Sequence, residues 1–277
     1  MRNYLLFFTM LIIIVVVSGC ASDDDGGEIN GIENVNPKIE VIRTFAGNLE
    51  KLISKTDRYC IKELKVVGEI NGSDIRVLRD MMGSMDNEDR ARGVLEYLDL
   101  SDARIVSGGK PYAGSHTISY LYTEDDIVGD YMFGTSYSID PATGKEYVIT
   151  LKKIILPKHT ISISGEHVFE QCYKLETIDI PNSVKNISCD FSDLKELKSI
   201  VIPNSVKTMM HCHLEETEKL TSIYFKSKVC PDFGYPVFGD GYRWLPDITV
   251  YVPFGCENSY RKFFRDNKIV EIDMSKI

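Results

Sequence analysis

Thirteen residues are written almost twice in this chain: LETIDIPNSVKNI at Leu175 to Ile187 returns as LKSIVIPNSVKTM at Leu197 to Met209, 22 positions further on. Self-similarity at so short a period marks stacked supersecondary units, because a unit of this size cannot bury its own inner face and must share a core with its neighbours. Aligning on leucine extends the series to LKKIILP at Leu151, LETIDIP at Leu175, LKSIVIP at Leu197 and LTSIYFK at Leu220, spaced 24, 22 and 23. Ile178 and Ile180 lie two apart and so face one side of a strand, while Thr177 and Asp179 face the other. The proline after the last strand residue ends the ladder, and Asn-Ser turns the chain. The return half repeats as well. Phe169, Phe191 and Leu214 each stand six residues before the next leucine, where an apolar side chain fills the core behind the strand. Each unit therefore reads as strand, turn and return, with successive strands parallel and about 4.8 Å apart in one sheet along a solenoid.

This pattern resembles the BspA-like leucine-rich repeats, in which L-x-x-I-x-I-P-x-S-V leads into A-F-x-x-C-x-x-L. VFEQCYKL at Val168 to Leu175 follows the second half with Cys172 in the cysteine position; the later copies put Leu194 and Thr217 there. The resemblance implies an α/β leucine-rich repeat solenoid with a parallel β-sheet along one face, a short helical N-terminal cap and a capping strand and helix at the C-terminus. Residues 151–245 hold the regular repeats and 61–150 diverged ones with an insertion. In the latter, IKELKVVGEINGSDIRVLRDMMG predicts a strand, a cap in Gly-Ser-Asp and a helix with Ile75, Leu78, Met81 and Met82 on one side; LEYLDLSDARIV gives another rung. YAGSHTISYLYTEDDIVGDYMFG holds a further rung leading into Met132 and Phe133, and the segment around PATGK reads as a hairpin insertion. Leu49, Leu52 and Ile53 place an inward helical face in the cap, residues 38–60. ITVYVPFGCENSYRKFF supplies the closing strand and helix of residues 246–277. Together 38–277 form a single repeat domain.

Before that domain, Arg2 precedes an apolar run from Tyr4 to Val17 interrupted only by Thr9. Its proportions are those of a secretory signal, residues 1–19. Val17, Ser18, Gly19 and Cys20 resemble the bacterial lipobox, which implies diacylglycerol on the Cys20 thiol. Residues 20–37, acidic and rich in Gly and Asn, read as a flexible tether. Ser22, Asp23, Asp24 and Asp25 resemble the export signal that sends Bacteroidota lipoproteins to the outer face of the outer membrane, so the expected location is the cell exterior.

The chemistry classes narrow quickly. A net charge of -9 with no cluster of Lys and Arg argues against nucleic acid. SGGK at Ser107 to Lys110 lacks the spacing and following helix of a phosphate loop, and neither a G-x-S-x-G elbow nor an H-E-x-x-H helix is present. HCH at His211 to His213 lacks the spacing of structural zinc sites, and strand alternation puts Cys212 on the side opposite both histidines. No catalytic residue, metal or cofactor is expected. Cys189 and Cys212 each stand eight residues before the next leucine, so adjacent rungs bring them together either as a disulfide or as two reduced thiols. The candidate binding face is the outward side of the strands: Tyr97, Asp99, Lys153, Ile155, Thr177, Asp179, Ser199, Val201, Ser222 and Tyr224. BspA-like relatives include adhesins, and the resemblance implies a non-catalytic surface protein that binds a protein or glycan partner. The alternative is an accessory or enzyme of glycan capture, which calls for an aromatic platform on one face.

Overall fold

The computed structural model describes residues 39–84, 93–114, 119–135, 148–165, 167–234 and 247–277. Cys20, the tether and the segment around PATGK lie outside them. The unit Asn34–Ile277 is an α/β solenoid whose front wall is built of short parallel strands.

Front strands Glu40–Thr44, Glu63–Ile70, Tyr97–Asp99, Lys153–Ile155 and Thr177–Asp179 are paired in that order, and Ser199–Ile202, Ser222–Phe225, Thr249–Pro253 and Lys268–Ile272 continue as a second group. One inward column runs through both groups, with Leu64 beside Leu98, Leu98 beside Ile154 and Ile154 beside Ile178, then Ile200 beside Ile223 and Ile223 beside Val250. All are buried. The alternation expected from the leucine pattern therefore sets the register, and Ile202 joins the core. Ile180 does not: it is only half-buried and packs at the core's margin.

The return half forms more structure than the sequence pattern suggested. Ile127–Gly129, Ser162–Ser164, Asn186–Ser188, Thr208–Met210 and Asp232–Phe233 make a second parallel sheet. Its inward column is Val128, Ile163, Ile187 and Met209. Between the sheets Phe133, Phe169 and Phe191 stack with centroids 6.1 and 6.3 Å apart, and Leu214 is buried beyond them. The left-handed backbone recurs at Gln171, Asp193 and Glu216, one per lap, which turns each return segment back toward the front wall. The segment expected to hold a further rung supplies only a return strand, Ile127–Gly129, leading into Met132 and Phe133, because Tyr97–Asp99 pairs directly with Lys153–Ile155 and leaves no place for another front strand. An antiparallel hairpin of Gly108–Ala113 and Leu121–Thr123 precedes it.

Both ends carry a strand that was not expected. Glu40–Thr44, ahead of the cap's helix, pairs with Glu63–Ile70, and Lys268–Ile272 closes the front wall after the helix Glu257–Arg261. The cap's helix is one turn, Leu49–Leu52, followed by a 3-10 turn at Asp57–Tyr59. Leu49 and Ile53 are buried there, but Leu52 points outward. The helix Gly72–Met82 buries Ile75, Leu78, Met81 and Met82 as its periodicity demands. Its cap is Asn71 rather than the Gly-Ser-Asp stretch: Asn71 accepts from the Ser73 amide at 3.0 Å while Asp74 reaches back to the Asn71 amide at 2.9 Å. Gly68 lies where the Glu63–Ile70 strand passes from one partner, Tyr97–Asp99, to another, Ala103–Ile105. Its φ of 112° and an approach that would put a Cβ 2.0 Å from the Thr44 carbonyl oxygen leave room for no other residue.

Candidate functional site

The outward side of the front wall divides into two chemically different halves. In the N-terminal half Tyr97 lies beside Lys153 and Lys153 beside Thr177; in the next row Lys65, Asp99, Ile155 and Asp179 are neighbours. These groups satisfy one another. Lys65 Nζ reaches Asp99 at 3.2 Å and Asp102 at 2.8 Å, Lys158 joins Asp102 at 3.2 Å, and Lys153 lies 3.5 Å from Asp179 and over the Tyr97 ring. Burial would raise the Asp99 carboxyl, but hydrogen bonds from Ser101 and Lys65 outweigh it and hold the group below the usual carboxylate range. Lys65 is raised by its bonds to Asp102 and Asp99. Asp99 is buried, so it braces the sheet instead of presenting itself on the face.

The C-terminal half has two rows of another kind. Ser199, Ser222, Thr249 and Lys268 form one, and Val201, Tyr224, Tyr251 and Val270 the other. Ser222 is buried and drops out of the candidate surface. Tyr224 and Tyr251 are half-buried and stack with centroids 4.5 Å apart and planes 8° from parallel, a spacing that matches neighbouring parallel strands. Tyr251 was not among the candidates. The signal was available, since ITVYVP aligns with TSIYF on the shared tyrosine, but a closing strand reads as a cap and caps read as structural.

Elsewhere the sequence motifs resolve into structural roles. Cys189 and Cys212 are free, buried thiols, so the bridge is not made. Three residues lie between Met210 and Leu214 where two lie between Ser188 and Phe191. The extra one is accommodated at His211, whose φ is 51°, so Cys212 returns to the offset from Leu214 that Cys189 has from Phe191, and the two thiols are neighbours on adjacent laps without being joined. The Cys189 thiol donates to the Asp190 carbonyl at 3.4 Å and the Cys212 thiol to the Met210 carbonyl at 3.2 Å. Burial pushes both thiols up, Cys212 to about 12. Cys172 is buried with its thiol 3.3 Å from the Phe133 carbonyl. His213 lies 3.4 Å from Asp190 and His167 3.3 Å from Asp130. Among the described residues no three His, Cys, Asp or Glu side chains converge on one point.

Comparison with known proteins agrees with this architecture over the regular laps. Residues 146–240 match the model of the BspA type leucine rich repeat region in 6 copies; that part of the chain carries BspA-type leucine-rich repeats. Among solved structures, a crystal structure of the pneumococcal vaccine antigen PcpA is similar at 12% identity, covering 84% of this chain and 68% of that chain, with a TM-score of 0.31. No curated protein matches the chain at a significant level.

Proposed function

We propose that this chain is a non-catalytic surface lipoprotein that binds a protein partner along the row Val201, Tyr224, Tyr251 and Val270. A leucine-rich repeat wall of this type supports a role in protein interaction at a surface, and the stacked tyrosines favour this stretch of it. In the N-terminal half the charged groups are already paired, so a ligand there would have to break ion pairs that it could not improve upon. The C-terminal row offers apolar area already fixed in place, bordered by hydroxyls, and tyrosine is a residue type that dominates binding energy at interfaces. The same geometry favours protein over glycan. A sugar packs its C–H face on an open aromatic face, whereas the Tyr224 and Tyr251 rings cover each other and are flanked in their row by Val201 and Val270. Ring edges and hydroxyls remain for the partner.

The test is a binding panel of purified matrix proteins and glycans against the wild type, a Tyr224→Ala/Tyr251→Ala double variant and a Lys153→Ala control. A protein ligand is expected to bind saturably, to lose about thirtyfold in affinity in the double variant, as for the loss of a 2 kcal/mol contact, and to be unchanged within about twofold in the control. Binding to glycans alone, or full affinity in the double variant, would overturn the reading.

Anchoring at the outer membrane rests on the lipobox and the aspartates after it, and is tested apart from binding. Cys20→Ala is expected to release the protein from the membrane fraction. Replacing Asp23, Asp24 and Asp25 by alanine is expected to protect it from protease added to whole cells. A Cys20→Ala variant that still fractionates with membranes would remove the lipid anchor from the proposal.

A further inference from the structure

At the N-terminal end a cleft of about 180 Å³ lies between the cap and the helix Gly72–Met82, lined by Glu50, Lys55, Arg58, Arg76, Asp80 and Lys110 with Ser73 and Val77. The chain as a whole has 41 acidic and 32 basic residues, yet the cleft inverts that balance with four cations against two carboxylates. Lys55 and Arg76 also engage other groups of the chain. Arg58 and Lys110 enter from different elements and by different means.

Arg58 comes from the 3-10 turn and is 6% exposed. Its Nη1 donates to Asp80 at 3.2 Å, and Glu50 lies 3.8 Å from Nη2. Its Nε has no acceptor. A buried donor left unmatched costs about 1–3 kcal/mol, and a guanidinium is suited to oxyanions with several acceptor oxygens. Lys110 is delivered by two glycine contacts. A Cβ on Gly72 would meet the Lys110 carbonyl oxygen at 2.1 Å, and a Cβ on Gly109 would meet the Asn71 side chain at 2.4 Å. Only because both are glycine does the strand press onto the helix start, where the Lys110 amide donates to Ser73 Oγ at 3.0 Å. SGGK is therefore no phosphate loop in sequence, but its lysine is brought to a cationic cleft beside the helix.

We infer that this cleft is a binding site for a phosphate- or sulfate-type oxyanion, either free or carried as an ester on a larger molecule. It is independent of the tyrosine row and of the partner bound there.

Equilibrium dialysis of the full chain against labelled inorganic phosphate, with chloride at matched ionic strength as the reference, tests the site. The expected result is saturable binding that chloride does not displace and that weakens about tenfold in Lys110→Ala. Arg58→Lys, which keeps the charge and removes the fork, is expected to weaken it as well, and circular dichroism of both variants establishes that they are folded. A sulfated polysaccharide that displaces phosphate, when its desulfated form does not, would identify a polymer-borne ester as the source; no displacement by either would identify the free ion. Phosphate binding no better than chloride, or folded Lys110→Ala binding phosphate like the wild type, would overturn the inference.

Discussion

Arg79→Met is expected to destabilise the protein by about 3 kcal/mol in a denaturant titration. Arg79 lies on the helix Gly72–Met82, is 1% exposed, and spans from the helix to the return segment around Met132 and Phe133. It donates to the Tyr131 carbonyl, to the Gly134 carbonyl at 2.6 Å and to Ser84 Oγ at 2.9 Å. Methionine fills much of the volume of the side chain but donates nothing, so buried carbonyls lose their partner. Each such loss costs on the order of 1–3 kcal/mol, partly offset because a cation no longer has to be desolvated. The loss should also be local. The amides of Phe133 and Thr135, bonded to Val168 and Glu170 at 3.1 and 3.0 Å, should exchange with solvent faster by more than the global loss of stability explains. A variant within about 0.5 kcal/mol of wild type would show that Arg79 is not the clamp.

Phe169→Ala should cost about 3–5 kcal/mol. The ring sits between Phe133 and Phe191 with both neighbours near parallel. Its removal opens a cavity in the middle of a column that three laps share, where neither sheet can close without shifting the strand register. Thr177→Ala, on the outward side of the front wall, should stay within about 0.5 kcal/mol. Equal losses at the two positions would reject the assignment of inward and outward sides, and with it the candidate face.

The leucine, isoleucine and phenylalanine positions were legible in the chain because a residue two apart in a strand must share its side, and because a repeat must bury one side against its neighbours. Ile154, Ile178, Ile200 and Ile223, and behind them Phe169 and Phe191, follow from that alone. The strands Glu40–Thr44 and Lys268–Ile272 did not, because an end strand pairs on one side only and has no repeat to align with. The second sheet was hidden for a related reason: its strands are two or three residues long, too short to carry their own alternation, and exist because parallel stacking brings their amides into register.

Which outward residues form a face was decided by tertiary structure. Sequence places Asp99 and Tyr224 equally outward, but Lys65, Asp102 and Ser101 converge from neighbouring segments and absorb Asp99 into an ion-pair lattice, while Tyr224, uncharged, stacks on Tyr251. Tyr251 acquires its role only when the closing strand docks in register beside it. Likewise Cys189 and Cys212 share an offset in the sequence and lie on adjacent laps, yet each thiol is free and turned to a backbone carbonyl. The periodic apolar pattern determined that this chain stacks, since burial is a property each repeat demands for itself. Charge pairing, ring stacking and thiol contact depend on which atoms adjacent laps bring together, and only the folded chain decides that.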